Sequence, residues 1–505
     1  MSHARQGSSR LEQALRAHAA RDPSRIALRQ GSASISYGQL IREVDDVRAK
    51  LEILGNGRPI ALMADNGLGW VVTDLAAHVA GIPIVPIATF FSGEQVAHVV
   101  ATAGIGHLVT DQPGRFAGMH GTAMSGAPLH RGLHRIELGG GTGGTLPDGV
   151  TKITFTSGTT GQPKGVCLKR EEIEQVAVSL RAAVCAVAED QHVCLLPLAT
   201  LLENIGGVYV PLLAGATVNV PALSEVGLSG SSSFDVLAAI ATLGYCKATS
   251  AITVPQMLSA FVAAARAGVS MPPSLRYLAV GGAPVSTRSL ERAIAAGLPV
   301  FEGYGLSECA SVLAVNRPGQ QRTGSVGKPL DHVELCFAED SEIFVCRRGW
   351  AGYLGDADGQ PDFFATGDTG YQDRDGYLYI TARKKNMFIS AFGRNVSPDW
   401  IESELLVHPS IAQVAVFGEG RPFNTAVIVA PPSASRSEIE AAIADTNRRL
   451  PDYARVSKWT AAREPFSTAN GLLTSNGKLR RDALVARYAQ ALNTLYPSED
   501  QVVTQ

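Results

Sequence analysis

The 505 residues exceed what one ordinary core holds, because cores stop growing near roughly 250 to 300 residues, so at least two domains are expected. With 45% hydrophobic and 18% charged residues, the composition is that of a folded globular protein and excludes a largely disordered chain. The 44 basic and 46 acidic residues leave a net charge of -2, which offers no general attraction to a polyphosphate backbone or anionic lipid, so nucleic acid is not an expected partner.

In chain order, the first ten residues carry charge with no apolar run behind them, so no secretory signal is read and a cytoplasmic address is expected. Leu11, Leu15 and His18 recur at helical spacing, followed by the alternating S-I-S-Y and a second helical stretch to Leu54. Pro59 to Met63 reads as a strand, Leu68 to Ala80 as a helix and Pro83 to Pro86 as another strand. That alternation favours parallel sheets with covering helices, an α/β architecture. The longest apolar stretches, Ile82 to Phe91 and Val208 to Val220, are broken by proline and glycine before the ~20 residues a membrane span needs. Gly139 to Gly149 satisfies G-x-G-x-x-G, but T-L-P-D-G follows rather than a helix start, so it reads as a linker. Seven cysteines between Cys167 and Cys346 form no C-x-x-C pair and no zinc-like spacing. They are expected to be reduced and mostly buried.

The β-branched run V-T-K-I-T-F-T from Val150 predicts a strand that delivers T-S-G-T-T-G-Q-P-K-G, Thr156 to Gly165, to a sheet edge. Its glycines let backbone N–H groups approach phosphate oxygens, Thr156, Ser157, Thr159 and Thr160 add hydroxyls, and Lys164 adds positive charge. The Gly158 to Lys164 spacing and the lack of Ser or Thr after the lysine rule out a Walker A loop. Further on come G-G-A-P (Gly281 to Pro284), E-G-Y-G-L-S-E (Glu302 to Glu308), T-G-D (Thr366 to Asp368), R-K-K (Arg383 to Lys385) and S-N-G-K (Ser475 to Lys478). Tyr304 offers a flat ring for a purine, Gly303 and Gly305 allow close backbone approach, and Glu308 is a hard oxygen ligand suited to Mg²⁺. Beyond Arg383 the pattern is a small α+β unit, with strands at Ala412 to Phe417 and Ala426 to Val429. A helix opens at a Ser435/Glu438 capping box and turns Ile439, Ile443 and Leu450 inward.

This ordered series resembles the adenylate-forming superfamily of acyl-CoA synthetases, adenylation domains and luciferases, from about Leu11 to Tyr488. The resemblance implies a large N-terminal domain of layered α/β subdomains, residues 1–384, and a small mobile α+β C-terminal domain, residues 385–505. It implies ATP and Mg²⁺ as reactants, with the phosphate loop (Thr156, Ser157, Gly158, Thr159, Thr160, Lys164), Gly282, Ala283, Pro284, Glu302, Gly303, Tyr304, Gly305 and Ser307 around the nucleotide. Glu308 would hold the magnesium, Asp368 the ribose hydroxyls, and Arg383 ribose or phosphate oxygens. Lys478 would bridge the attacking carboxylate and the α-phosphate, with Lys164, Glu308 and Lys478 as the catalytic set. Lys385 matches the family's hinge, and Gly393 would line a thiol passage after the small domain rotates.

P-L-A-T-L-L-E-N, Pro197 to Asn204, is similar to a stretch of long-chain acyl-CoA synthetases, but Thr200 stands where a histidine is usual. The same stretch lacks an aspartate for an α-ammonium group, which counts against amino acids. The tail P-F-S-T-A-N-G-L-L-T-S-N-G-K-L-R-R is again similar to long-chain enzymes, so a fatty or otherwise apolar acid leads. No carrier-protein domain is read after Lys478, so the thiol is expected to come from another molecule. Coenzyme A is therefore the leading thiol and the phosphopantetheine of a separate acyl carrier protein the alternative. A nucleotide-binding protein without catalysis is disfavoured by the joint presence of Lys164, Glu308, Asp368, Arg383 and Lys478. A hydrolase is disfavoured by the absence of G-x-S-x-G and H-E-x-x-H.

Overall fold

The computed structural model describes residues 9–55, 58–116, 127–138, 146–156, 164–230, 233–347, 350–356, 361–474 and 477–496. Two large mixed sheets form the N-terminal body. In the seven-stranded sheet, Ile60–Met63 lies between Ile84–Pro86 and His107–Thr110, and Val150–Thr156 with Lys164–Lys169 closes one edge. In the nine-stranded sheet, Val300–Tyr304, Tyr277–Val280, Ser250–Thr253, Gln191–Val193, Thr217–Asn219 and Ile26–Gln30 run parallel, with antiparallel strands at both edges. These short apolar strands are buried on both faces because helices cover them, as parallel sheets require. Helix Leu68–Ala80 is enclosed along nearly its whole length, and Gly81 ends it in the left-handed conformation at φ 70°.

A buried polar cluster ties the phosphate-loop strand Val150–Thr156 to helix Leu68–Ala80 and to the helical segment Glu203–Tyr209. Lys152 Nζ donates to Asp74 Oδ1 at 2.8 Å, to Asn204 Oδ1, and to Tyr209 at 3.2 Å, while Tyr209 and Asn204 donate to Asp74 Oδ2 at 2.7 and 2.9 Å. Burial pulls the Lys152 pKa down against the pull of Asp74. Every member is paired, which is the condition for such a cluster to specify one packing rather than loosen the core. The predicted strands and helices of this region all appear within a residue or two of their expected bounds.

After the four-stranded sheet ending in Leu378–Arg383, the chain forms a smaller unit. It holds the three-stranded sheet Gln413–Phe417, Asn424–Val429 and Val456–Ala461, with helices Pro398–Leu405, Arg436–Asn447 and Arg481–Thr494. The Ser435/Glu438 capping box is present in both directions, and Ile439, Ile443 and Leu450 are buried. Among the described residues no helix is long and apolar enough to cross a membrane. The seven cysteines are free, but the expectation that most are buried needs correction. Cys167, Cys194 and Cys309 are buried, whereas Cys185 and Cys336 are exposed, one just past a helix end and one on an exposed edge strand. The glycine run at 139–145 lies outside the described residues.

Candidate functional site

Thr156 pairs with Lys164 at the loop end of an antiparallel hairpin, so the two ends of the proposed phosphate loop are held side by side at the sheet edge. Ser157, Gly158, Thr159 and Thr160 lie between them, outside the described residues. Thr156 and Lys164 open onto a cleft of about 2950 Å³ that also receives side chains from the C-terminal unit.

The Gly281–Pro284 loop leaves the strand Tyr277–Val280 and enters helix Thr287–Ala295. Gly282 has φ 83°, which only glycine adopts without strain, and a Cβ on Gly281 would stand 3.2 Å from Gly303 O. Gly282, Ala283 and Pro284 thus reach the cleft beside Glu302, Gly303 and Tyr304 on the neighbouring strand. Gly305 is demanded by packing, since a Cβ there would fall 1.6 Å from Ser311 O. Glu302 is buried, and burial pushes its carboxyl up to about 8, so it is largely neutral at pH 7.

Ser307 and Glu308 sit on the single turn Ser307–Cys309 and face the cleft. Tyr353 donates its hydroxyl to Glu308 Oε1 at 2.9 Å, and Lys164 Nζ lies 5.7 Å from the Tyr353 ring centroid. Tyr353 therefore joins the phosphate-loop lysine to the expected magnesium ligand, and the motif series did not name it. The available signal was W-A-G-Y-L-G, two aromatics among small residues, whose rings pack at 5.5 Å. Among the described residues Glu308 Oε2 has no hydrogen-bond partner. One free carboxylate oxygen beside a phosphate-binding hairpin fits Mg²⁺, which takes one or two carboxylates and fills its shell with phosphate oxygens and water.

Asp368 is buried, and Arg383 Nη1 lies 2.8 Å from each of its oxygens. Tyr304 also donates to Asp368 Oδ2, at 2.7 Å. Tyr304 was expected for its ring face alone, yet its hydroxyl also helps hold the Asp368 carboxylate. Each carboxylate oxygen accepts more than one hydrogen bond, so Asp368 keeps capacity for a ligand.

Lys478 comes from the other side of the cleft. It sits on a tight turn in which Thr474 N–H donates to Lys478 O at 2.8 Å and Gly477 takes φ 74°. Its side chain is exposed to the cleft's interior yet enclosed by the cleft's walls. That enclosure and Arg383 lower its pKa, opposed by Asp368, Glu308 and Asp399. Lys385 lies exposed on the turn after Leu378–Arg383, at the cleft rim, its pKa lowered first by partial desolvation and then by Arg383 and Lys164. Gly393 turns the hairpin between Phe388–Ile389 and Asn395–Val396 at φ 71° and is not among the residues lining the cleft. Thr200 does line it.

The model of the AMP-binding enzyme family matches residues 15–354, and that of the AMP-binding enzyme C-terminal domain matches residues 386–500. The chain is 28% identical over 427 residues to a 2-succinylbenzoate–CoA ligase of Bacillus licheniformis, covering 78% of this chain and 84% of that one. It is 31% identical over 250 residues to the long-chain-fatty-acid–CoA ligase FadD15 of Mycobacterium bovis, covering 43% and 42%. The fold is shared with an anthranilate CoA ligase, AuaEII, solved with anthranoyl-AMP, at a TM-score of 0.78 and 20% identity over 98% of this chain and 100% of that one. With the family model covering most of the chain and the nucleotide motifs gathered on one cleft, this protein belongs to the AMP-binding enzymes of the adenylate-forming superfamily and is an AMP-forming acid–thiol ligase.

Proposed function

We propose that the chain adenylates a carboxylic acid with a predominantly apolar body, fatty or aryl, releases pyrophosphate, and passes the acyl group to coenzyme A. The observation that carries this reading is the convergence of Lys164, Glu308, Asp368, Arg383 and Lys478 on one cleft that continues between apolar walls including Leu180, Val184, Leu202 and Val210. The relatives named above act on a fatty acid in one case and on aromatic acids in the others, which supports an apolar body and leaves both kinds of acid to be tried. The body divides near residues 384 and 385, with Lys385 as hinge. Gly393 enters the thiol passage only after the C-terminal unit turns.

In this reading Asp368 and Arg383 hold the ribose, and Tyr304 with the Gly281–Pro284 loop holds the purine. The Lys478 ammonium neutralises charge between the carboxylate nucleophile and the α-phosphate, where a preorganised cation in an enclosed site acts most strongly. Magnesium, when bound by Glu308, neutralises charge on the polyphosphate. The alternative acceptor is the phosphopantetheine of a separate carrier protein, and the site of action is the cytoplasm. The test is incubation with ATP, Mg²⁺ and a panel of fatty and aryl acids, with coenzyme A or a carrier protein as acceptor. Acid-dependent release of AMP and pyrophosphate with thioester formation is expected. Release of ADP and phosphate, or no dependence on acid, would overturn the reading.

A further inference from the structure

The acyl branch of the cleft runs down one face of the nine-stranded sheet and ends on polar groups. His192, Ser250 and Tyr277 are neighbours in register on three parallel strands, His192 opposite Ser250 and Ser250 opposite Tyr277, and all three line the cleft. They stand at the starts of strands whose ends lead toward the Gly281–Pro284 loop. At ~3.3 Å per residue, the three-residue step from Ser250 to Thr253 places them about 10 Å from the nucleotide end. Leu180, Val184, Gly206 and Val210 wall the path. An ion pair also lines the cleft here, Arg276 Nη2 to Asp190 Oδ2 at 2.5 Å and Nε to Oδ1 at 3.0 Å.

At this end the hydrogen bonds form a chain with one direction. Ser250 Oγ lies 3.0 Å from His192 Nδ1, His192 Nε2 lies 3.1 Å from Glu203 Oε1, and Glu203 Oε2 accepts from the Leu196 N–H at 2.9 Å. His192 and Glu203 are buried, and Ser250 is half-buried. The helix carrying Glu203 is pressed against the pair: a Cβ on Gly207 would fall 2.0 Å from Glu203 Oε1 and 2.7 Å from His192 Nε2. A carboxylate only accepts, so in the neutral imidazole it is Nε2 that carries the proton and Nδ1 that is left as an acceptor. The Ser250 hydroxyl proton therefore points at Nδ1, and what Ser250 presents to the cleft is a lone pair.

We propose that this end of the acyl branch is an acceptor site that selects acids bearing a hydroxyl or N–H group at the far end of an otherwise apolar body. The proposal rests on the acid-activating reading above and adds the substrate's distal group to it. Ser250 positions that group, and His192 and Glu203 act only through Ser250.

The experiment measures acid-dependent pyrophosphate release for matched pairs: ω-hydroxy fatty acids against the unsubstituted acids of equal length, and 4-hydroxycinnamate against cinnamate. In at least one pair the hydroxylated acid is expected to be preferred in kcat/KM by roughly tenfold, the worth of one hydrogen bond in an enclosed site. The preference should fall to near unity in Ser250→Ala, and Ser250→Thr should restore it. Glu203→Gln lets an amide N–H face Nε2, which reverses the chain and turns Ser250 into a donor, so a ketone- or methoxy-bearing acid should gain over its hydroxyl counterpart. Equal use of both members of every pair, or a preference that survives Ser250→Ala, would overturn the acceptor site while leaving the ligase reading intact. Absence of pyrophosphate release with every acid would instead strike the ligase reading itself.

Discussion

Arg288, on the helix that follows the Gly281–Pro284 loop, places its guanidinium 2.8 Å from the Asp445 carboxylate of the C-terminal unit and 3.3 Å from His408 Nε2. Arg292, one turn along, donates to Val407 O at 2.6 Å. The body carrying the Gly281–Pro284 loop and the unit carrying Lys478 are thus joined through one helix face.

His408 lies among Arg288, Arg292 and Arg449, with Asp445 opposing them. Burial and those cations push its pKa from 6.5 to about 4. The fold resists protonating His408 while the unfolded chain does not, so its contribution is intact above about pH 6.5 and is lost as pH falls toward 4. Unfolding free energies of wild type and His408→Gln, compared from pH 7 to pH 4, should converge by up to about 3 kcal/mol as the pH drops. Parallel curves would show that His408 does not titrate this way.

Lys478→Ala should lower the rate of acyl-adenylate formation on the order of 10²- to 10³-fold, as when a preorganised charge leaves an enclosed site. Thioester formation from supplied acyl-adenylate should survive. The two half-reactions measured separately decide it, and an equal fall in both would remove the assigned role.

Tyr353→Phe deletes the hydrogen bond to Glu308 Oε1 while leaving the ring beside Lys164. A hydrogen bond to a charged group is worth about 1.5–3 kcal/mol, so the Mg²⁺ concentration for half-maximal activity should rise roughly tenfold or more with kcat less affected. An unchanged magnesium titration would show that Tyr353 does not hold the carboxylate.

Lys385→Pro should leave adenylation largely intact and strongly slow thioester formation, because proline fixes φ near roughly -65° at a position that must turn. Pyrophosphate release and thioester yield are the two readouts. Equal effects on both would remove the hinge.

What the sequence by itself determined was local. The strand Val150–Thr156 shows in β-branched residues, the helix at Arg436–Asn447 in a capping box four residues long, and the candidate nucleotide-binding groups in motifs whose glycines, hydroxyls and charges lie within ten residues of one another. Periodicity and capping report what a segment does to its own backbone and which face it buries. Partnership across the chain leaves no such trace. Tyr353 meets Glu308 from 45 residues away, Asp74 meets Lys152 from 78, Ser250 meets His192 from 58, and Arg288 meets Asp445 from 157. Those meetings follow from strand order, parallel register and the seating of the C-terminal unit. His192 reaches Ser250 because Gln191–Val193 lies next to Ser250–Thr253 in the sheet, although 56 residues and three other strands intervene in the chain's path. Tertiary packing alone therefore decided that Tyr353 holds the Glu308 carboxylate and that Ser250 Oγ stands beside His192 Nδ1.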